Sequence, residues 1–145
     1  MYKAFQFAKK NHSTETVIIG TDSPTLPLDF ITEAFQCLQT HDVVVGPTVD
    51  GGYYLIGLKE PVLSIFQNVA WSSSNVLRTT LQNAQKAKKK IYLLPQWYDV
   101  DDRNSLEHLL RDLKKKGNAP SALETKKELK ELEIFKKVIL AKEER

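Results

Sequence analysis

Three acidic segments hold the residues best suited to chemistry in this sequence. The first, Gly20-Thr21-Asp22-Ser23-Pro24, follows the apolar run Thr16-Val17-Ile18-Ile19. A carboxylate just past a strand, beside a glycine that admits close approach, suits a hard cation or a ligand hydroxyl. It equally suits a local turn in which Asp22 accepts backbone N–H groups. The second segment is Asp50-Gly51-Gly52-Tyr53-Tyr54. Its tandem glycines permit positive φ and a close backbone contact with a ligand, while Asp-Gly is also an ordinary hairpin turn. Pro47-Thr48-Val49-Asp50 lengthens the connection beyond the simplest hairpin, which favours an exposed functional loop. The third is Trp97-Tyr98-Asp99-Val100-Asp101-Asp102. Three acids in four positions repel one another unless a cation or base neutralises them. In extended chain Asp99 and Asp101 point the same way. Asp102 suits the N-cap of the next helix. Asp22 and Asp101, from separate strand ends, form the kind of sparse carboxylate pair that Mg²⁺ takes together with substrate phosphates and water.

Other groups carry blander readings. Trp71-Ser72-Ser73-Ser74 offers hydroxyls and helix N-terminal N–H groups to a phosphate or sugar, with plain capping as the alternative. His12 and His41 fall at helix ends, and His108 falls on an exposed helical face. The lysine runs at 88–90 and 114–116 end helices, where positive charge complements the dipole. Cys37, the only cysteine, excludes a disulfide framework and reads as a buried core thiol.

Helical and strand periods alternate along the chain and set these loops in place. Helices are expected near 2–11, 28–39, after Pro61, at 75–88 and at 105–115. Strands are expected at Thr16–Gly20, Asp42–Pro47, Gly52–Leu58 and Ile91–Pro95. The runs Val17–Ile19 and Val43–Val45 read as buried on both faces. This alternation predicts an α/β sheet with helices on its faces, and in such sheets ligands bind beyond the strands' carboxyl ends. Gly117-Asn118-Ala119-Pro120 breaks the chain. The reading is therefore one domain over 1–117 and a charged amphipathic helical extension over 118–145, opened by a Ser121–Glu124 capping box. Leu129, Leu132, Phe135 and Ile139 line that extension.

The 145 residues fit one ordinary domain, and 41% hydrophobic residues support a packed core. A net charge of +3 is too small to argue for nucleic acid. No apolar run approaches the roughly 18–20 residues of a membrane span, and the start lacks a signal-peptide pattern. A cytoplasmic location is the expectation.

Taken in order, Ile19-Gly20-Thr21-Asp22-Ser23-Pro24-Thr25-Leu26-Pro27, Gly46-Pro47, Asp50-Gly51-Gly52-Tyr53-Tyr54-Leu55-Ile56-Gly57-Leu58, Trp71-Ser72-Ser73 and Asp99-Val100-Asp101 resemble a known set of motifs. The chain is similar, over residues 1–115, to a bacterial GT-A-like transferase family often called radical-SAM/selenodomain-associated transferase 1. At fold level it also resembles the phospholactate and molybdenum-cofactor guanylyltransferases. The resemblance implies a three-layer α/β/α nucleotide-diphospho-sugar transferase sheet and metal-dependent glycosyl or nucleotidyl transfer from a nucleotide or nucleotide sugar. It implies Mg²⁺ or Mn²⁺ held by Asp22 and Asp101. Asp50 is implied as catalytic, with Gly51, Gly52, Tyr53, Trp71 and Ser72 near the substrate. The Tyr53-Tyr54 pair departs from the guanylyltransferase loop.

Members of that superfamily open with a strand and a Gly-rich nucleotide loop, whereas this sequence begins at a helix. The expectation is a sheet lacking its first strands, whose open edge is covered by the terminal helix or by a second copy in a two-fold dimer. A non-catalytic binding or assembly module on the same fold is the alternative function.

Overall fold

The computed structural model describes residues 1–114 and 122–131. Its elements run α1 (Tyr2–Lys10), β1 (Thr16–Ile19), α2 (Leu28–Leu38), β2 (Val43–Pro47), β3 (Tyr53–Leu58), a 3₁₀ turn (Leu63–Phe66), α3 (Val76–Lys86), β4 (Ile91–Leu93), α4 (Arg103–Lys114) and α5 (Leu123–Glu131). The described residues form two compact units, Met1–Thr21 with Leu28–Tyr98, and Asp22–Pro27 with those from Asp99 onward. The expected boundary at residue 117 lies outside the described residues, as do Ser121, Leu132, Phe135 and Ile139. Leu129, on α5, is half-buried.

The first unit holds a four-stranded sheet in the order β1-β3-β2-β4. β3 pairs antiparallel with both β1 and β2, and β2 pairs parallel with β4. β1, β2 and β4 therefore run one way, and β3 is inserted against them. β2 and β3 are the arms of a hairpin, so the Asp42–Pro47 and Gly52–Leu58 runs do pair directly.

Alternation along the strands separates two apolar faces. Val43, Val45, Ile56 and Leu58 meet Phe5 of α1, Ile65 of the 3₁₀ turn and Ala84 of α3 in one core cluster, with Phe66 stacked 5.9 Å from Phe5. The opposite face receives α2. Gly57 makes room there for Leu38, whose Cδ1 lies 3.0 Å from where a Cβ at Gly57 would sit. Each Val, Leu or Ile so buried contributes on the order of 1.5–3 kcal/mol. Helices thus cover both sides of the sheet, which makes the α/β/α layering.

Two expectations about burial are corrected. β2 is buried from Val43 to Gly46, but β1 is half-exposed and ends at Ile19, 45% exposed, because it has a strand neighbour on one side only. A β-branched run signals strand character and does not distinguish a central strand from an edge. Cys37 is half-buried on α2, at the margin of its packed face.

In the second unit Leu26, Leu109, Leu110, Leu113 and Ala122 are buried. No helix among the described residues is long and apolar enough to cross a membrane.

Candidate metal centre and substrate loops

The second unit brings together carboxylates from distant parts of the sequence. The backbone N–H of Val100 donates to the Asp22 carbonyl at 2.9 Å. That bond holds the loop after β1 against the segment carrying Asp99 and Asp101, which flank Val100. One carboxylate oxygen from each of Asp22, Asp99 and Asp101 lies within 4.8 Å of the others. Asp22 and Asp101 are exposed and Asp99 is half-buried. At that separation each pair of charges repels by roughly 1 kcal/mol under water-like screening. Three hard anionic oxygens are the donor chemistry of Mg²⁺ or Mn²⁺, not of a soft metal. The residues present therefore fit a hard divalent cation.

Asp102 stands apart from this group because it is committed to α4. Its Oδ1 accepts from the Ser105 N–H at 2.7 Å and from the Ser105 hydroxyl at 2.8 Å, and Ser105 Oγ accepts from the Asp101 and Asp102 N–H groups. This reciprocal cap fixes the start of the helix two residues earlier than expected. The backbone and side-chain donors of Ser105 hold the Asp102 carboxyl below its ordinary value. Asp99 was not among the ligands implied by family resemblance; the i, i+2 alternation with Asp101 is the signal that finds it.

In the first unit the Asp50-Gly51-Gly52 loop closes the β2–β3 hairpin. Asp50 is exposed, and its Oδ1 accepts from the Thr48 hydroxyl and, at 3.0 Å, from the Gly52 N–H. The Thr48 hydroxyl is the main reason that the Asp50 carboxyl lies below its ordinary value; partial burial opposes it. The turn is pinned further by Thr48 N–H to the Gly52 carbonyl, and by Gln96 Nε2 to the Thr48 carbonyl at 3.1 Å.

Gly51 has φ +93°, and a Cβ there would lie 2.2 Å from the Ser74 carbonyl oxygen. Its own carbonyl accepts from the Leu77 N–H at 2.9 Å. The Asp-Gly-Gly turn thus caps α3 and meets the Trp71–Ser74 loop, two segments that family resemblance assigned to substrate. Val76 N–H is bonded to the Ser73 carbonyl and Asn75 N–H to Ser73 Oγ, so the first donors of α3 have protein partners. Trp71 is 47% exposed, and Ser72 is exposed with φ 63°.

Tyr53 and Tyr54 face opposite sides of the sheet. The pairing shifts between Gly46 and Pro47, so that Gly46 opposes Leu55 and Pro47 opposes Tyr53. Tyr54 is the extra residue of that bulge, and its ring turns to the α2 face beside Phe30. Gly46 leaves room for it; a Cβ there would lie 2.3 Å from the ring. The Tyr54 hydroxyl donates to the Pro95 carbonyl at 2.9 Å. Tyr53 packs against the other core, with its hydroxyl 3.7 Å from Met1 Sδ. Burial pushes the Tyr53 phenol up to about 12 and also raises that of Tyr54.

His12 and His41 close helices as expected: His12 N–H bonds the Lys9 carbonyl, and His41 Nδ1 lies 3.1 Å from the Cys37 carbonyl. His108 is paired with Asp112 at 3.5 Å on α4.

This layered sheet is the nucleotide-diphospho-sugar transferase fold of GT-A type. A crystal structure described as "putative nucleotide-diphospho-sugar transferase from Desulfovibrio desulfuricans G20" superposes with a TM-score of 0.77 at 30% identity, over 84% of this chain. The chain spans 55% of that structure's length. Residues 1–73 match the family described as "Uncharacterized protein conserved in bacteria (DUF2064)", and the chain belongs to that family. A comparison with curated proteins finds no match.

Proposed function

We propose that this chain carries a metal-dependent GT-A-type transferase site that takes a nucleotide or nucleotide sugar as donor, for glycosyl or nucleotidyl transfer. The observation that carries the reading is the Asp22, Asp99 and Asp101 group, whose oxygens lie within 4.8 Å of one another on a transferase fold. Asp22, Asp99 and Asp101 would hold Mg²⁺ or Mn²⁺. When bound, such an ion neutralises charge on a diphosphate and on the developing leaving group. Within the first unit, Asp50 and exposed Trp71 and Ser72 are the candidate substrate contacts. Gly51 and Gly52 shape the turn that presents Asp50. The Tyr53 phenol, neutral at ordinary pH, can act only as a hydrogen-bonding group or a packing surface.

The reading is tested by thermal shift and calorimetry on the full chain, using UDP, GDP, UDP-glucose and GDP-mannose with and without Mg²⁺ or Mn²⁺. Metal-dependent binding of at least one nucleotide is expected. Asp22→Asn and Asp101→Asn should remove the metal dependence, and Asp99→Asn should weaken it. Binding that ignores both the metal and these substitutions would favour a non-catalytic module.

A further inference from the structure

Two described residues, Thr48 and Gly52, both donate to one carboxylate oxygen of Asp50, Oδ1. Thr48 is buried, at 3% exposure, yet its hydroxyl is directed at the carboxylate of an exposed residue. The Gly52 N–H reaches the same atom, Oδ1, at 3.0 Å. Two donors fill the acceptor capacity of that oxygen. Neither of these bonds from Thr48 and Gly52 engages Oδ2.

Thr48 is itself immobilised. Its N–H bonds the Gly52 carbonyl, its carbonyl accepts from Gln96 Nε2, and it bridges in parallel to Trp97, whose N–H bonds the neighbouring Pro47 carbonyl at 3.0 Å. The carboxylate is therefore held by a threonine fastened to two segments of the sheet.

From this geometry we infer that Asp50 meets its ligand through Oδ2 alone, as acceptor for a single ligand hydroxyl, and that Thr48 is the positioning residue that fixes this presentation. The inference rests on the transferase reading and narrows it. A fork-shaped donor, such as a guanidinium or the Watson–Crick edge of guanine, binds a carboxylate through both oxygens. With Oδ1 occupied, Asp50 offers no such pair. A lone hydroxyl, as on a sugar or a hydroxylated acceptor, needs one oxygen and finds it. The lowered Asp50 carboxyl agrees with this role, since a weakly basic carboxylate orients a hydroxyl better than it removes its proton.

The test uses the full chain with Mg²⁺ and compares UDP with UDP-glucose and GDP with GDP-mannose by calorimetry. In one pair the sugar nucleotide should bind about tenfold more tightly than its parent nucleotide, the effect of one hydrogen bond to a charged acceptor. Asp50→Asn keeps an Oδ1 for Thr48 and Gly52, so the turn is retained while the charge is lost. It should abolish the tenfold preference. Thr48→Val should do the same, and Thr48→Ser should restore it. Independently of any ligand, carboxyl NMR should show the Asp50 titration rising toward the ordinary value in Thr48→Val and staying low in Thr48→Ser. Sugar-nucleotide binding that is indifferent to Asp50→Asn overturns this inference and leaves the transferase reading standing. So does an Asp50 titration unmoved by Thr48→Val. No Mg²⁺-dependent binding of any of the four compounds overturns the transferase reading and the ligand contact with it.

Discussion

Replacing Gly51 with alanine should destabilise the first unit substantially, although the same position invites a purely ligand-binding interpretation. Gly51 has φ +93°, a conformation that costs an L-residue about 1–2 kcal/mol. The added Cβ would stand 2.2 Å from the Ser74 carbonyl oxygen and 2.8 Å from its carbon. Those are backbone atoms, so rotation of a side chain cannot relieve the clash, and the turn and the loop before α3 must separate until the contact exceeds about 3.4 Å. That separation breaks the 2.9 Å bond from Leu77 N–H to the Gly51 carbonyl, worth about 1 kcal/mol net. Together these effects amount to about 2–3 kcal/mol, which at a typical urea dependence lowers the midpoint by roughly 1–2 M. Gly52→Ala is the control. A Cβ there meets Thr48 Oγ1 at 3.0 Å and Asp50 Oδ1 at 3.3 Å, both side-chain atoms, and Gly52 has no positive φ. Its cost should stay below about 1 kcal/mol. Urea titrations followed by far-UV circular dichroism and tryptophan fluorescence provide the assay. A Gly51→Ala midpoint equal to the parent, or a Gly52→Ala midpoint lower than that of Gly51→Ala, would refute the packing argument and return Gly51 to a binding role alone.

Tyr53 should resist ionisation until about pH 12, when absorbance at 295 nm is followed against Tyr53→Phe. Its folded value lies above the unfolded value near 10, so the stabilising contribution is complete below pH 10 and is lost as pH rises toward 12. Gly46→Ala should displace the Tyr54 ring, whereas Tyr54→Phe should cost only about 1 kcal/mol by losing the bond to the Pro95 carbonyl; a harmless Gly46→Ala in thermal melts would argue against the bulge packing. Without added metal, Asp101→Asn should leave stability unchanged or raise it slightly, since it relieves repulsion within the acidic group; a marked loss in urea titrations would mean that Asp101 has a structural role instead.

Much of this architecture is legible along the chain because it depends on neighbours a few residues apart. The β-branched runs at Thr16–Ile19 and Val43–Val45 form strands, the amphipathic run Leu28–Leu38 forms a helix, and Asp102 caps α4 as its position before Ser105 suggests. The shared direction of Asp99 and Asp101 follows from strand periodicity alone. Strand ends and family resemblance both point to the Asp22 and Asp101 loops, and the Val100 N–H, next to Asp101, donates to the Asp22 carbonyl.

Pairs far apart in sequence are a different matter, because local propensity carries no information about them. Nothing in the run Thr16–Ile19 says that β3 will insert antiparallel beside it and leave its other side open. The same residue types serve an edge and a centre, and only neighbouring strands tell them apart. Tyr53 and Tyr54 look like simple alternation, but a bulge opposite the Gly46–Pro47 step sends Tyr54 to the α2 face, where the absent side chain of Gly46 makes room. Gly51 reads as a flexible rim, yet its missing Cβ is required by the backbone of Ser74, twenty-three positions away, because that separation is closed only when α3 packs on the sheet.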